Sequence, residues 1–215
     1  MRVPSALAIA LLAAACGATP ATPPPTIAAL PSVSAAAATG PIAFEAGFPS
    51  AGTYTTTAFQ PPLTMTIDDR WQVLFQDDSD ELGLEDDSGD GTEFLVGRVS
   101  QVVDPGSHEP VAAPDDLVAW IRAHPALTAG NAADTTVDGR AARTVDVTTK
   151  GGAEVEVFAF PTGNLPVPDG VRNRFTVVPL DGPDLVITTG GHTEGFDAAV
   201  ARAAPILASL RIGHR

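Results

Sequence analysis

The densest run of residues able to do chemistry is acidic. It opens with Asp77-Asp78-Ser79-Asp80-Glu81 and continues through Glu85-Asp86-Asp87-Ser88-Gly89-Asp90-Gly91-Thr92-Glu93. Asp86, Ser88 and Asp90 alternate and Gly91 follows, as in the first half of a calcium loop, where oxygens at alternate positions converge on a hard cation. The second half departs from that pattern, because Gly97 stands where a bidentate Glu closes such a loop. The segment 77–93 therefore reads as a solvated hairpin tip between two strands, its charge blocking edge pairing. Weak calcium binding there is the sharper alternative.

His108, His124, His192 and His214 are scattered. A zinc site wants His or Cys at helical or hairpin spacing beside a carboxylate, and no pair here has it. His192 lies in Gly190-Gly191-His192-Thr193-Glu194-Gly195. Such glycine-rich turns at helix starts can receive anions, but this one reads first as a flexible connection to the last helix. His124 reads as a helix C-terminal residue favoured by the dipole. Trp71 and Trp120 read as core anchors, with a sugar-stacking platform as the other reading. The loop Pro161 to Pro168 offers a lid or a partner-docking edge. No Gly-x-Ser-x-Gly elbow, Ser-x-x-Lys pair, Walker loop or dinucleotide glycine fingerprint occurs. No spacing of Ser, His and Asp picks out a triad. Neither catalysis nor a cofactor is expected.

The single cysteine, Cys16, stands directly after a short apolar run, Ala6 to Ala15, which is preceded by Arg2. One positive charge, a short apolar stretch and small residues at its end make a secretory signal peptide over 1–15. The run is too short to cross a bilayer, which takes about 20 apolar residues. Leu11-Leu12-Ala13-Ala14-Ala15-Cys16-Gly17 resembles the lipobox of bacterial lipoproteins, although Ala13 stands where Leu is commonest. The resemblance implies cleavage before Cys16, diacylglycerol on its sulfur and acylation of its new amine. One acyl chain binds only marginally, at about 0.8 kcal/mol per buried CH₂, whereas two or three hold firmly. The expected location is extracytoplasmic, with membrane contact made through lipid on Cys16.

The chain has 12 basic and 26 acidic residues and a net charge of −14. Nucleic acid and anionic headgroups both need clustered Lys and Arg, so this balance argues against either as a partner. An envelope protein or a small apolar ligand is the expected partner. After Cys16, residues 17–41 are built mostly from Ala, Thr, Pro, Ser and Gly, with Ile27, Leu30 and Val33 the larger apolar residues, no charge, and Pro23-Pro24-Pro25 in the middle. They bury too little to offset chain entropy and read as a disordered tether. A single globular domain is expected over 42–215. With one cysteine it has no internal disulfide, and core packing must supply its stability.

The elements that would position these residues are mostly strands. Gly52–Phe59 is rich in β-branched and aromatic residues, Pro61-Pro62 breaks it, and Leu63–Ile67 alternates with period two. Asp68-Asp69-Arg70 turns into a strand from Trp71 to Phe75, and Glu93–Val103 is another. Pro114-Asp115-Asp116 opens a helix carrying Leu117, Trp120 and Ile121, which Pro125 stops. An antiparallel meander is expected next. Asp138-Gly139 is its first hairpin turn, Gly151-Gly152 its second, and Arg174–Leu180 and Leu185–Thr189 its last strands. Thr193 is the expected N-cap of a closing helix with a stripe of Phe196, Ala199, Val200, Ala203 and Leu207. Pro205 should break that helix, since proline costs about 3 kcal/mol inside a regular one. Ser209–Ile212 reads as a last short strand. Strands joined by tight turns, with helices not alternating between them, make an α+β fold: an antiparallel β-sheet flanked by helices.

In that order the pieces resemble the PsbP-like α/β/α sandwich. They are Asp68-Asp69-Arg70-Trp71, the helix from Pro114 to His124, Val137-Asp138-Gly139-Arg140-Ala141-Ala142, and Phe196-Asp197 through Ile206-Leu207-Ala208-Ser209-Leu210. The resemblance spans roughly residues 50–213. It carries over no catalytic residue, because members of that family mostly bind proteins or have no known role.

Overall fold

Alternation of apolar and polar side chains builds most of the chain into strands. The computed structural model describes residues 42–43, 49–78 and 80–213. In chain order the elements are β1 (Ile42–Ala43), β2 (Gly52–Thr55), β3 (Leu63–Ile67), β4 (Trp71–Asp78), β5 (Glu81–Asp86), β6 (Glu93–Val99), β7 (Gln101–Val103) and β8 (Pro110–Ala112), then helix α1 (Leu117–Ala123). β9 (Leu127–Ala129), β10 (Ala133–Val137), β11 (Arg140–Thr149), β12 (Val155–Phe160), β13 (Gly163–Val167), β14 (Val171–Val178) and β15 (Asp184–His192) follow. A 3₁₀ turn over Thr193–Gly195 leads into α2 (Phe196–Ser209), and β16 (Arg211–Ile212) comes last.

The central sheet has the order β10-β11-β14-β15-β6-β5-β4, with β9 also on β11. All its pairs are antiparallel. Two small sheets accompany it, β1-β2-β3-β16 and β13-β12-β7-β8. β1 with β2 is the one parallel pair among the described strands.

Each face of the central sheet has its own core. On one face Leu63 and Met65 of β3, Trp71 of β4 and Leu84 of β5 pack with Ala203 and Ile206 of α2. On the other, Val102 of β7 and Phe158 of β12 pack with Leu117 and Ile121 of α1. β15 feeds both: Leu185 and Ile187 enter the first core and Val186 the second. A strand covered on both faces reads as a continuous apolar run, because every side chain is inside. Each large aliphatic or aromatic side chain so buried contributes about 1.5–3 kcal/mol.

The α+β class and the antiparallel pairing agree with the sequence reading, and four details differ. First, the acidic segment is not one hairpin tip. Glu81–Asp86 is β5, an interior strand whose Leu82 and Leu84 are fully buried. Second, the meander ends at Gly151-Gly152. Both glycines have positive φ, 86° and 72°, and they turn the chain out of the central sheet, so β12 pairs with β13 and β7 instead. Third, the proline-rich stretch after Pro161 contains β13. Pro166 is tolerated because β13 is an edge strand and pairs beside a bulge between Glu156 and Phe158.

Fourth, α2 runs unbroken through Pro205. Pro205 and Ala201 are both exposed, so the carbonyl that loses its helical partner is on the wet side, where water can satisfy it. Thr193 does not cap this helix either. Its hydroxyl donates to the Gly170 carbonyl at 2.9 Å, and Gly195 takes the N-cap place. The hairpin at Asp138-Gly139 is as expected: φ is 50° and 71°, the doubly left-handed turn that matches strand twist.

Candidate functional site

Two acidic places dominate the surface chemistry, and the first is closed. At the turn from β5 to β6 the Asp86 N–H donates to the Thr92 carbonyl at 2.9 Å. One Asp86 oxygen accepts from the Ser88 N–H at 2.9 Å. The Asp90 Oδ1 accepts from the Thr92 hydroxyl at 2.7 Å and the Ser88 hydroxyl at 2.9 Å. The remaining oxygens face Arg202 of α2. Its Nη2 donates to Asp90 Oδ2 and to the Thr92 hydroxyl, and its Nε lies 3.9 Å from Asp86 Oδ2. The Asp86 side chain is wholly buried, and neither its Oδ2 nor the Arg202 Nε has a hydrogen-bond partner. Hydrogen bonds from Thr92, then Ser88 and Arg202, hold the Asp90 carboxyl down at about 2. The alternate oxygens that resemble a calcium loop thus surround a guanidinium supplied by the chain itself.

The second place is open. A groove of about 450 Å³ lies between the start of α1 and strands β10, β11 and β14. Leu117, Val118, Ala142, Val177 and Pro179 give it an apolar floor. Asp115, Asp116, Asp134 and Asp184 stand around its rim, with Arg143 as the one base in the lining. Asp116 caps α1 by accepting from the Ala119 N–H at 2.9 Å. Arg143 reaches the same carboxylate at 3.3 Å, with both side chains exposed. Burial pushes the Asp184 carboxyl up, and the nearby Asp116 charge adds to that. A hydrogen bond from the Leu180 N–H and the charge of Arg98 work the other way. A neighbouring hollow of about 330 Å³ shares Asp115 and Asp184 with the groove. Pockets of this size with an apolar floor and a few polar groups are the usual form of a ligand site.

A third feature is a polar row across one face of the central sheet. Register places Asn173, Gly190, Glu93, Glu85 and Gln72 side by side on β14, β15, β6, β5 and β4. Gly190 lacks the Cβ that would meet Asn173 Oδ1 at 2.5 Å, so the buried amide lies over bare backbone. Burial, and then the charge of Glu85, push the Glu93 carboxyl up. Gln72 donates to Glu85 at 2.8 Å.

No family model matches the chain, and no curated protein matches it. Among solved structures it is similar to CyanoP, the cyanobacterial PsbP of Synechocystis sp. PCC 6803. The TM-score is 0.44 at 12% identity, covering 80% of this chain and 99% of that one. It is also similar to LpqN of Mycobacterium tuberculosis, a protein involved in cell envelope biogenesis. There the TM-score is 0.41 at 10% identity, covering 76% of this chain and 86% of that one. These are likenesses of fold at a low level.

The residues singled out from sequence fall in separate places. Cys16, the segments 1–15 and 16–41, and His214 lie outside the described residues. His108 is exposed in the turn before β8, with φ 59°. His192 ends β15, its ring against Gly91. His124 is the C-terminal residue of α1 that the sequence reading made it, but burial opposes the charge that the dipole would favour. It is 4% exposed, burial and the charge of Lys150 lower its pKa, and its Nδ1 accepts from the Ala126 N–H at 3.3 Å. It caps α1 through its backbone N–H, which donates to the Ile121 carbonyl at 3.3 Å. Among the described residues no three His, Cys, Asp or Glu side chains are grouped to hold a metal ion. No described helix is long and apolar enough to cross a membrane. Trp71 is 1% exposed in the first core, and Trp120 packs edge-on to His124 with ring centres 5.2 Å apart.

Sequence reasoning missed Arg202 and the groove. Arg202 follows Ala199 by three positions and lies among the small residues of the α2 stripe, a hint that this face meets charge as well as core. The groove joins residues some 70 positions apart, from Asp115 to Asp184, and no local pattern could assemble them.

Proposed function

We propose that the protein is a non-catalytic binding module, exported and held to the outer face of a membrane by acyl chains on Cys16, and that its binding site is the groove beside α1. The observation that carries the reading is the groove itself: an apolar floor beneath a rim of four carboxylates. The lipobox-like segment supports the anchor, and the order of elements quoted from the sequence supports a PsbP-like, protein-binding fold. The four carboxylates on the rim favour an envelope protein as the partner over an apolar small molecule carried between sheet and helix.

The test is cross-linking in cells of the full chain with a photoreactive benzoylphenylalanine at Thr135, on the groove, or at exposed Ala201 on α2. A discrete adduct from Thr135 and none from Ala201 is expected. Equal labelling from both positions, or none from either, overturns the groove as the binding site. Globomycin should leave an unprocessed precursor. A chain still processed in its presence, and partitioning into water with a free thiol, overturns the anchor.

A further inference from the structure

We propose that His124 is an acid-operated latch on α1: when its Nδ1 takes up a proton from solvent, the imidazole lets go of the Ala126 N–H, and α1 comes away from the second core while the rest of the central sheet stays folded. The inference concerns α1 itself and stands whether or not the groove beside it holds a partner.

The two ring nitrogens set the device. Nδ1 accepts from the Ala126 N–H at 3.3 Å, so it is the bare nitrogen and Nε2 carries the hydrogen. Nε2 is buried and has no hydrogen-bond partner among the described residues. A further proton can enter only at Nδ1, where it sets one N–H against another. It also places a full charge in a buried site, which is costly without a partner. The surrounding elements offer none. α1 has one charged residue, Arg122, which is exposed, and β9 has no titratable residue. β11 runs into Lys150, whose charge also weighs against the protonated ring. The one carboxylate of β11, Asp146, lies between Val145 and Val147, which enter the second core, so it is on the opposite face, where it holds Arg172 and Arg174.

What the ring holds is a corner. The His124 carbonyl accepts from the Leu127 N–H at 3.2 Å, and the Ala126 carbonyl from the Lys150 N–H at 2.8 Å. The Lys150 Nζ donates to the Pro125 carbonyl at 3.3 Å. The end of α1, the start of β9 and the end of β11 are thus tied together around the imidazole. Trp120 packs against that ring from within α1. α1 has seven residues, too few to persist without tertiary contacts, and Leu117, Val118 and Ile121 supply them in the second core. Short elements with few anchors open ahead of the global transition. β14 and β15, flanked by strands on both sides, do not depend on this corner.

The experiment is NMR of the full chain in zwitterionic detergent, taken from neutral pH down to about 5. It reads the ¹⁵N shifts of the His124 ring and the exchange of backbone amides, corrected for their intrinsic rates. At neutral pH Nδ1 should show the shift of a bare, accepting nitrogen. As pH falls below 6.5, the ordinary imidazole value, opening of the α1 amides should rise about ten-fold per pH unit, the slope of one proton, while β14 and β15 stay protected. His124→Asn keeps an acceptor near the place of Nδ1 and takes up no proton, so its α1 opening should not vary with pH. The His108→Gln, His192→Gln double variant should behave like the parent. The inference is overturned if the parent and His124→Asn open in parallel, or if the double variant loses the response. It is equally overturned if α1 stays protected throughout, or if β14 and β15 lose protection together with α1, which is acid unfolding of the whole. Those last two outcomes are read on the parent alone and decide the matter even where His124→Asn does not fold.

Discussion

Asp86 and Asp90 close on Arg202, while Asp115, Asp116, Asp134 and Asp184 stand around a space with Arg143 at its side. The two regions draw on the same residue type, and the difference lies in burial and in what faces them. At the β5–β6 turn the carboxylate of Asp86 is wholly covered, and a buried charge must be paired or it destabilises the fold. The chain supplies the partner from α2, and the outcome is a clasp. Around α1 the carboxylates of Asp115, Asp116 and Asp134 are exposed, so none requires an internal partner, and the negative charge stays available to something outside. Acidic composition alone does not separate a structural clasp from a recognition surface; the position of the nearest guanidinium does.

The comparison can be broken at the clasp with the largest effect. Arg202→Met keeps the stem and removes the charge, leaving Asp86 buried without a counter-ion. A loss of about 3–5 kcal/mol is expected in urea unfolding, and Asp86→Asn in the same background should recover part of it. A loss below about 1 kcal/mol would show the pair to be incidental.

The pH profile sharpens the same point. The Asp90 carboxyl is depressed to about 2 in the fold against 3.8 for the free group. Its contribution is therefore complete above 3.8 and disappears as pH falls through about 2. Asp90→Asn should lack that acid-side decline, and a parallel decline in both proteins would remove Asp90 from the clasp.

Glu93 lies between the two cases, partly buried beside Glu85 with no base at hand. Its carboxyl is raised, so ionisation opposes folding once pH passes the unfolded value of 4.5. Glu93→Gln should gain about 0.2–1 kcal/mol at neutral pH and nothing in acid below that value. The smallest effect belongs to the groove. Asp134→Asn should change stability by no more than about 0.5 kcal/mol, because an exposed carboxylate without an ion pair contributes little to folding.

Local pattern reveals much of this fold. Leu63–Ile67 alternates over five residues and forms β3 with the same bounds. Asp138-Gly139 demands two left-handed residues and turns where it should. Pattern fails where a residue's setting is non-local. Glu81–Asp86 has two large apolar residues among acids and looks like loop, but β4 and β6 flank it and Leu82 and Leu84 lie in the core shared with β3 and α2. Pro205 looks like a break until its place on the wet side of α2 is known. Of the candidate site, Asp115 and Asp116 were visible as a helix start. Their meeting with Asp134 and Asp184 depends on which strands lie beside α1, and no short window of sequence encodes that.

The glycine pair in β15 has a further consequence. Because Val186 and its neighbours Leu185 and Ile187 enter opposite cores, a slip of this strand by one position would exchange their destinations, and lipophilicity would not object. Gly190 and Gly191 would object. A Cβ at Gly190 would meet Asn173 at 2.5 Å, and one at Gly191 would meet Ala199 at 2.8 Å, so Thr189 or His192 cannot take either place. Two missing methyl groups thus act as an alignment key for the middle of the molecule, and β15 should be the segment that least tolerates an inserted or deleted codon.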